Sequence, residues 1–94
     1  MAKATFNQVV IAESDACEMV EGNPYFPIES VKQELLEPVD KTTFCPWKGT
    51  ANYYDVVVNG ERAAAGAWYY ADPKPAAANI KGHVAFWNGV VVEP

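Results

Sequence analysis

The stretch from Asn52 to Tyr70 constrains the fold of this chain more than any other segment. Three consecutive valines lead into Asn59-Gly60, and residues able to continue a strand follow from Glu61. An Asn-Gly pair between two such segments is the strongest short signal for a β-hairpin, because both turn positions take positive φ. The sequence therefore predicts two antiparallel strands joined by a two-residue turn at Asn59-Gly60.

The register of this hairpin decides which side chains share a face. Continued without interruption from the turn, the pairing predicts three further facing pairs: Asp55 with Ala64, Tyr53 with Gly66, and Ala51 with Trp68. One face then carries the larger and charged side chains, which are Tyr53, Asp55, Val57, Arg62, Trp68 and Tyr70. Asp55 and Arg62 lie diagonally on this face and are expected to pair. The opposite face carries Tyr54 and two valines against three alanines, and we assign it to the core because small side chains let another layer approach closely.

The first third of the chain predicts short extended segments separated by turns. Gln8–Ala12 is β-branched and apolar and predicts a strand, and Cys17–Val20 is expected to pair back onto it. Residues 21–24, Glu-Gly-Asn-Pro, predict a turn. Glu29–Leu36 is ambiguous: a short helix ended by Pro38 and a helical turn followed by a strand fit it equally well.

The last third adds a second hairpin signal. Pro75 suits the first position of a helical turn over Ala76–Ala78. His83–Trp87 predicts a strand, and Asn88-Gly89 repeats the turn signal, with Val90–Val92 as the expected returning strand. Many short strands separated by turns predict one mainly-β domain over residues 1–94, built of antiparallel hairpins with one or two short helical turns.

Composition argues against several classes of function. The chain has 12 acidic and 7 basic side chains and a net charge of −5, without a basic stripe, so nucleic-acid binding is not expected. No apolar run approaches the ~18 residues of a membrane span. The first residues lack the apolar core of a signal peptide. We therefore expect a soluble cytoplasmic protein with no membrane contact.

Metal and cofactor binding are not predicted either. A structural zinc site takes about four ligands, usually closely spaced. Cys17, Cys45 and the single His83 are too few and too dispersed. In a cytosolic protein the two cysteines are expected to be free thiols. The sequence leaves the oligomeric state open.

Residues 42–54 hold the greatest concentration of reactive and recognition-capable side chains. Pro46 and Gly49 predict a bend that carries Cys45, Trp47 and Lys48. One interpretation is a pocket lip that presents a thiol and an ammonium. The other is a structural corner in which the cysteine is buried, the tryptophan packs and the lysine is solvated. For the cysteine alone we favour the structural interpretation.

This segment is similar to the signature of a known family. Residues 43–54, Thr-Phe-Cys-Pro-Trp-Lys-Gly-Thr-Ala-Asn-Tyr-Tyr, resemble the bacterial family of domains of unknown function numbered 427. Flanking segments agree over nearly the whole chain, at residues 25–27, 36–38, 67–70 and 80–87. The resemblance implies a small β-tent fold, shared with a guanine-nucleotide-exchange chaperone, methionine sulfoxide reductase B and the thalidomide-binding domain of cereblon. Many of those relatives carry a zinc-binding cysteine quartet, which this sequence lacks.

The family is sometimes labelled nucleotidyltransferase-like, but the residues do not favour that activity. Nucleotidyl transfer by the familiar routes needs clustered carboxylates for Mg²⁺ or a phosphate-binding glycine loop. Asp55 and Asp72 are isolated, and no loop has repeated glycines. The resemblance therefore supplies no biochemical role.

A small-ligand binding module is the first of three functions that remain open. Aromatic walls with a few fixed polar groups are typical of small-molecule pockets. The expected ligand-binding residues are Trp47, Lys48, Tyr53, Trp68 and Tyr70, with Cys45 and His83 as less certain neighbours. We expect Lys48 to be exposed at the rim, so that its removal would change stability little. Tyr54, Phe86 and Trp87 are assigned to the core.

The other two functions are an enzyme and a protein-interaction domain. In an enzyme, Cys45 would be a nucleophile or redox thiol, Lys48 would lower its pKa, and His83 is the one imidazole available as a base. That hypothesis requires the fold to bring Cys45 and His83 together. An interaction domain would instead present a contiguous apolar patch on the aromatic face of the hairpin.

Overall fold

The computed structural model describes every residue from Met1 to Pro94, and it is mainly β. All paired strands are antiparallel. The prediction of a small mainly-β domain of antiparallel strands with short helical turns is confirmed. The nine strands are β1 (Ala2–Phe6), β2 (Val9–Ser14), β3 (Glu18–Val20), β4 (Asn23–Pro27), β5 (Leu36–Cys45), β6 (Gly49–Val58), β7 (Glu61–Tyr69), β8 (His83–Phe86) and β9 (Val91–Glu93).

Three short 3₁₀ turns connect these strands, at Ile28–Ser30, Gln33–Leu35 and Pro75–Ile80. Pro75 begins the third turn, as predicted. For Glu29–Leu36 the helix alternative is wrong, because β5 starts at Leu36 and continues through Pro38. A proline is tolerated there because β5 is an edge strand. None of the helical turns has the length and apolar character needed to cross a membrane.

Two sheets pack against each other. The smaller has the strand order β2-β1-β9, and the larger has the order β3-β4-β8-β7-β6-β5. Between them lies the main core, whose buried members include Ile11 from the smaller sheet and Phe26, Val56 and Phe86 from the larger. The Phe26 and Phe86 rings meet edge to face with centroids 5.6 Å apart. The hairpin face with the valines and alanines is thus a core face, as predicted.

The opposite face of the larger sheet is also partly covered, which the sequence did not predict. The Pro75–Ile80 turn packs on it and forms a second, smaller cluster of buried residues, which are Tyr25, Ala51, Tyr70, Ala77, Ile80 and Ala85. Tyr53 and Trp68 pack at the margin of this cluster. The aromatic face of the hairpin is therefore a partly enclosed surface.

Two strands find partners other than those expected. β3 does not pair back onto β2; it forms a hairpin with β4 around the turn at Glu21-Gly22. The turn at Asn88-Gly89 is present, but β9 leaves β8 and pairs with β1 in the other sheet. The local turn signals were right, and the strand partners depend on contacts distant in sequence.

The central hairpin has the predicted turn and an irregular register. Val58 faces Glu61 and Val57 faces Arg62, as expected. Beyond Val56 and Ala63 the pairing shifts, so the predicted pairs of Asp55 with Ala64, Tyr53 with Gly66 and Ala51 with Trp68 are wrong. Instead, Tyr53 faces Trp68 and Tyr54 faces Ala67.

The cause of the shift is a bulge at residues 64–66, which we call the Ala64–Gly66 bulge. Three residues of β7 lie opposite the single residue Asp55 of β6. Ala65 adopts φ of 50°, a left-handed conformation unusual for alanine. A Cβ on Gly66 would lie 2.8 Å from the Cβ of Ala63, so only glycine fits there. Because two residues are added, the side chains beyond the bulge keep their predicted faces.

Asp55 holds this bulge from the opposite strand. Its Oδ1 accepts a hydrogen bond from the Ala65 N–H (2.7 Å), and its Oδ2 accepts one from Arg62 (2.8 Å). The predicted pairing of Asp55 with Arg62 is thus confirmed. The backbone hydrogen bond from Ala65 and the Arg62 guanidinium lower the pKa of the Asp55 carboxyl below its ordinary value. The ionised form therefore stabilises the folded state.

Replacing Asp55 by asparagine is expected to lower the free energy of unfolding at pH 7 by about 1–2 kcal/mol, because a charge-assisted hydrogen bond becomes a neutral one. The folded-state pKa is depressed, so this contribution is present above the unfolded pKa and is lost as pH falls through the folded value. Urea denaturation at pH 7 and pH 3 measures the free energy of unfolding of both proteins. The difference between wild type and Asp55→Asn should be smaller at pH 3 than at pH 7. Asp40→Asn, on an exposed residue of β5, is the control. An equal difference at both pH values would contradict the claim that the ionised Asp55 carboxylate stabilises the folded state.

Candidate functional site

The bend at residues 45–49 connects β5 to β6. Cys45 pairs with Gly49, and Gly49 takes φ of 112°, which fits the predicted use of glycine. The bend is braced from outside, because Lys74 donates its N–H to the Lys48 carbonyl (2.9 Å) and its Nζ to the Pro46 carbonyl (2.7 Å). This bracing fixes the backbone that carries Lys48.

Lys48 is buried, which corrects the expectation of an exposed lysine at a rim. Only 7% of the residue is exposed, and it is the one buried charged residue of the chain. The bend points its side chain across the aromatic face of the larger sheet. Its Nζ lies 5.4 Å from the ring centroid of Trp47 and 5.5 Å from that of Tyr70. Such distances allow cation–π attraction, which is strongest where the cation is desolvated.

A concave cavity of about 190 Å³ lies against this lysine. We call it the Lys48 cage; its lining residues are Lys48, Tyr53, Trp68, Tyr70 and Trp87. Four of the five predicted ligand-binding residues are among them, and the fifth, Trp47, contacts Lys48 through its ring. The structure thus brings the predicted residues together around one cavity.

Trp87 is a cage residue that the sequence reasoning placed in the core. It is 49% exposed, and its ring meets Trp68 edge to face with centroids 6.0 Å apart. The Ala64–Gly66 bulge holds it, because its indole N–H donates to the Ala65 carbonyl (2.7 Å) and its backbone N–H to the Gly66 carbonyl (3.0 Å). The bulge could not be foreseen, so neither could the position of Trp87.

The Trp68 ring is fixed from its other side by Tyr25. The indole N–H of Trp68 donates to the Tyr25 hydroxyl (3.0 Å), and the two rings meet edge to face at 6.0 Å. Burial raises the pKa of the Tyr25 hydroxyl, and the hydrogen bond from Trp68 opposes the rise. Burial also raises the pKa of the Tyr70 hydroxyl, opposed by the Lys48 charge. Both phenols therefore stay protonated at neutral pH and can donate hydrogen bonds.

The charge of Lys48 is balanced by Glu21, a residue that the sequence reasoning did not connect with the site. The Lys48 ammonium donates a hydrogen bond to the Glu21 carboxylate and forms an ion pair with it. This bond lowers the pKa of the Glu21 carboxyl, with a smaller contribution from Trp47. One signal was available: Glu21 precedes Gly22 in a predicted turn, where asparagine or aspartate is the usual residue.

Lys48 is a permanent cation at neutral pH. Burial lowers the pKa of its ammonium, the hydrogen bond to the Glu21 carboxylate raises it, and the pKa lies above its ordinary value. A lysine nucleophile must be a neutral amine and needs a lowered pKa. The cage therefore offers a fixed positive charge, suited to holding an anion or polarising a carbonyl.

The structure does not bring Cys45 and His83 into contact. No hydrogen bond joins them, and His83 Nδ1 bonds to the Lys81 carbonyl at 2.8 Å. Because a carbonyl only accepts, Nδ1 carries a proton. Cys45 lies half-buried at the end of β5. The Cys–His pair required by the enzyme hypothesis is thus not formed.

His83 belongs to a second cavity, larger than the cage, with a volume of about 320 Å³. The Tyr54 and Tyr69 rings, stacked at 4.9 Å, form part of its wall, and Tyr70 lines both cavities. Its charged lining residue, Lys81, is exposed. We take the smaller cavity as the candidate site, because its wall contains the buried charged residue Lys48, and a charge away from water attracts an opposite charge more strongly than an exposed one does.

No three His, Cys, Asp or Glu side chains lie close enough together to hold a metal ion. The sequence prediction that the chain binds no zinc stays a prediction, which elemental analysis of the purified protein can test. Cys17 and Cys45 are both free thiols, as expected.

Comparison with known proteins identifies the family but no activity. The family model described as a domain of unknown function (DUF427) matches residues 1–93. Comparison with curated proteins gives no significant match. The family match extends from the first residue to the next-to-last and includes the bend, the cage strands and both Asn-Gly turns. The chain therefore belongs to the DUF427 family of domains of unknown function.

Proposed function

We propose that this protein binds a small molecule in the Lys48 cage. The ligand has a flat body, which lies against Tyr53 and Trp68, and an anionic or carbonyl group, which faces the ammonium. The observation that carries the proposal is the buried, charged Lys48 in the wall of an aromatic cavity.

Burial makes this cation effective. An electrostatic contact away from water is much stronger than the same contact at an exposed lysine. The aromatic walls add stacking surface for a planar group. The volume of about 190 Å³ is below the range of about 300–1,000 Å³ typical for drug-sized ligands, so a small metabolite is the expected occupant.

The two alternative functions have weaker support. An enzyme based on Cys45 and His83 would have to move these residues together, and the charged Lys48 is unsuited to act as a nucleophile. An interaction domain could use the exposed side chains of Phe44 and Trp47, which are 66% and 41% exposed. Phe44 does not form part of the cage lining, so a substitution there tests partner binding separately from ligand binding.

We also place this binding role in the bacterial cytoplasm. The two free cysteines support that location, because reduced thiols persist in a reducing compartment. Fractionation of the native host would test it.

Lys48→Met is expected to abolish ligand binding while changing the stability of the fold little. Methionine keeps much of the apolar stem, and replacing one member of a buried ion pair by an apolar residue leaves only the half-exposed Glu21 without its partner. Thermal-shift screening of metabolites against both proteins measures this. A ligand at 100 times its Kd stabilises the wild type by about 2.7 kcal/mol, and each 1 kcal/mol shifts the Tm of a domain of this size by about 4–8 °C.

Lys32→Met, at an exposed lysine outside the cage, is the matched control for the loss of one positive charge. It should respond to the same compounds as the wild type. Compounds that stabilise wild type and Lys48→Met equally would refute binding at the cage.

A further inference from the structure

The Lys48 ammonium already holds a carboxylate, which belongs to the protein itself. Glu21 reaches it from the turn between β3 and β4, 27 residues earlier in the chain. The Glu21 side chain is 52% exposed, whereas that of Lys48 is 9% exposed. The carboxylate is therefore the more solvent-exposed member of the ion pair.

An anion that binds Lys48 must compete with Glu21 for the ammonium. The ammonium is flanked by the rings of Trp47 and Tyr70, and its remaining exposure is small. Because the Glu21 carboxylate already neutralises the ammonium, an incoming anionic group gains the full charge of Lys48 only by displacing Glu21.

The backbone at Glu21 is strained. Glu21 takes φ of 54° at the first position of a two-residue turn, with Gly22 at 80°. The other three turns of this kind in the chain have asparagine at the first position: Asn7, Asn59 and Asn88. Glutamate gains none of the local hydrogen bonding that favours asparagine in this conformation. Strain of this kind persists only where the surrounding structure holds it, and it is concentrated at functional sites.

We infer that the ligand of the Lys48 cage is a small planar monocarboxylate, and that Glu21 occupies its carboxylate position until the ligand displaces it. This inference rests on the proposed function. The position is suited to a carboxylate because one already occupies it. A single buried ammonium neutralises one negative charge, and the rings of Tyr53 and Trp68 favour a flat body.

Benzoate and its neutral isostere benzamide are suitable probes. Each is titrated into the full chain, and the indole N–H resonances of Trp68 and Trp87 report binding at the cage in ¹H–¹⁵N spectra. Glu21→Asn removes the competing carboxylate. It also creates an Asn-Gly turn like the one at Asn59-Gly60, so the β3–β4 turn is expected to keep its conformation. Glu21→Gln, which keeps a neutral oxygen beside Lys48, is the second variant.

In Glu21→Asn the Kd of benzoate is expected to fall about tenfold or more, because its apparent affinity scales with the fraction of molecules whose Lys48 ammonium is not paired with Glu21. The Kd of benzamide should change less than about twofold, because a neutral amide can lie against the aromatic walls without displacing Glu21 from Lys48. Glu18→Gln removes a charge from the same β3–β4 hairpin at a residue that contacts Asn79, and should leave both Kd values unchanged.

Equal benzoate affinity in wild type and both Glu21 variants would overturn the inference. So would an equal gain for benzamide and benzoate, since charge would then not be what Glu21 competes for. Failure of the proposed function looks different, because neither probe would then perturb the two indoles in any variant. That outcome would remove the inference together with the binding site.

Discussion

Trp68→Ala is expected to lower the free energy of unfolding by about 3 kcal/mol. This is at the lower end of the range found when a buried aromatic side chain is replaced by alanine, because the Trp68 ring is only partly buried. The same change should abolish ligand binding. The ring faces Tyr53 across the strands, meets Tyr25 and Trp87 edge to face, and donates a hydrogen bond to Tyr25. Urea denaturation gives the stability, and thermal-shift assays with the screened metabolites give the binding.

Trp68→Phe separates these two contributions. It keeps an aromatic wall but removes the N–H that Tyr25 accepts, so a loss of about 1 kcal/mol is expected, with binding weakened and not abolished. If Trp68→Ala remained within about 1 kcal/mol of the wild type, the ring would not be the structural centre of the aromatic face.

Gly66→Ala is expected to lower the free energy of unfolding by about 2–3 kcal/mol, because the added methyl group overpacks a filled space. Its Cβ would lie 2.8 Å from the Ala63 Cβ and 3.0 Å from the Ala63 carbonyl oxygen, and the backbone oxygen cannot move aside cheaply. The bulge would shift, and with it the carbonyls that hold Trp87. We therefore expect weaker ligand binding as well, measured by the same two assays.

The neighbouring substitution Ala65→Gly is the control. Ala65 has the left-handed conformation that glycine adopts freely, so the substitution relieves strain in the folded state. Glycine also raises the entropy of the unfolded chain, which opposes this gain. The two effects should nearly cancel, with a net change in the free energy of unfolding below about 1 kcal/mol. A large loss in Ala65→Gly, or none in Gly66→Ala, would show that the bulge is not held by sterics at Gly66.

Short-range signals in the sequence predicted the turns and the faces of the central hairpin. The positive φ values of Asn59 and Gly60 follow from their own chemistry, and the alternation of side chains follows from the pleat. Because that alternation survives the bulge, Tyr53 and Trp68 could be placed on one face in advance. Lys48 could likewise be placed near them from its position on the bend.

The remaining features depend on contacts between distant segments. Nothing near Ala65 in sequence indicates a left-handed alanine, since it is stabilised by Asp55 from the facing strand. Lys48 pairs with Glu21, and the turn that carries Glu21 is placed beside Lys48 by the pairing of β4 with β8. The partner of β9 is set in the same way, by β1 at the other end of the chain.

The Ala64–Gly66 bulge also governs which changes of length this domain can accept. Deleting one residue from it would turn every later side chain of β7 over, so that Trp68 would enter the space between the sheets and Ala67 would replace it in the cage. Deleting two would leave a continuous ladder in which Trp68 keeps its side. The side chains of β7 therefore keep their faces only when the length of this segment changes by an even number of residues. Related chains that keep the aromatic site should differ in length here by two residues or a multiple of two.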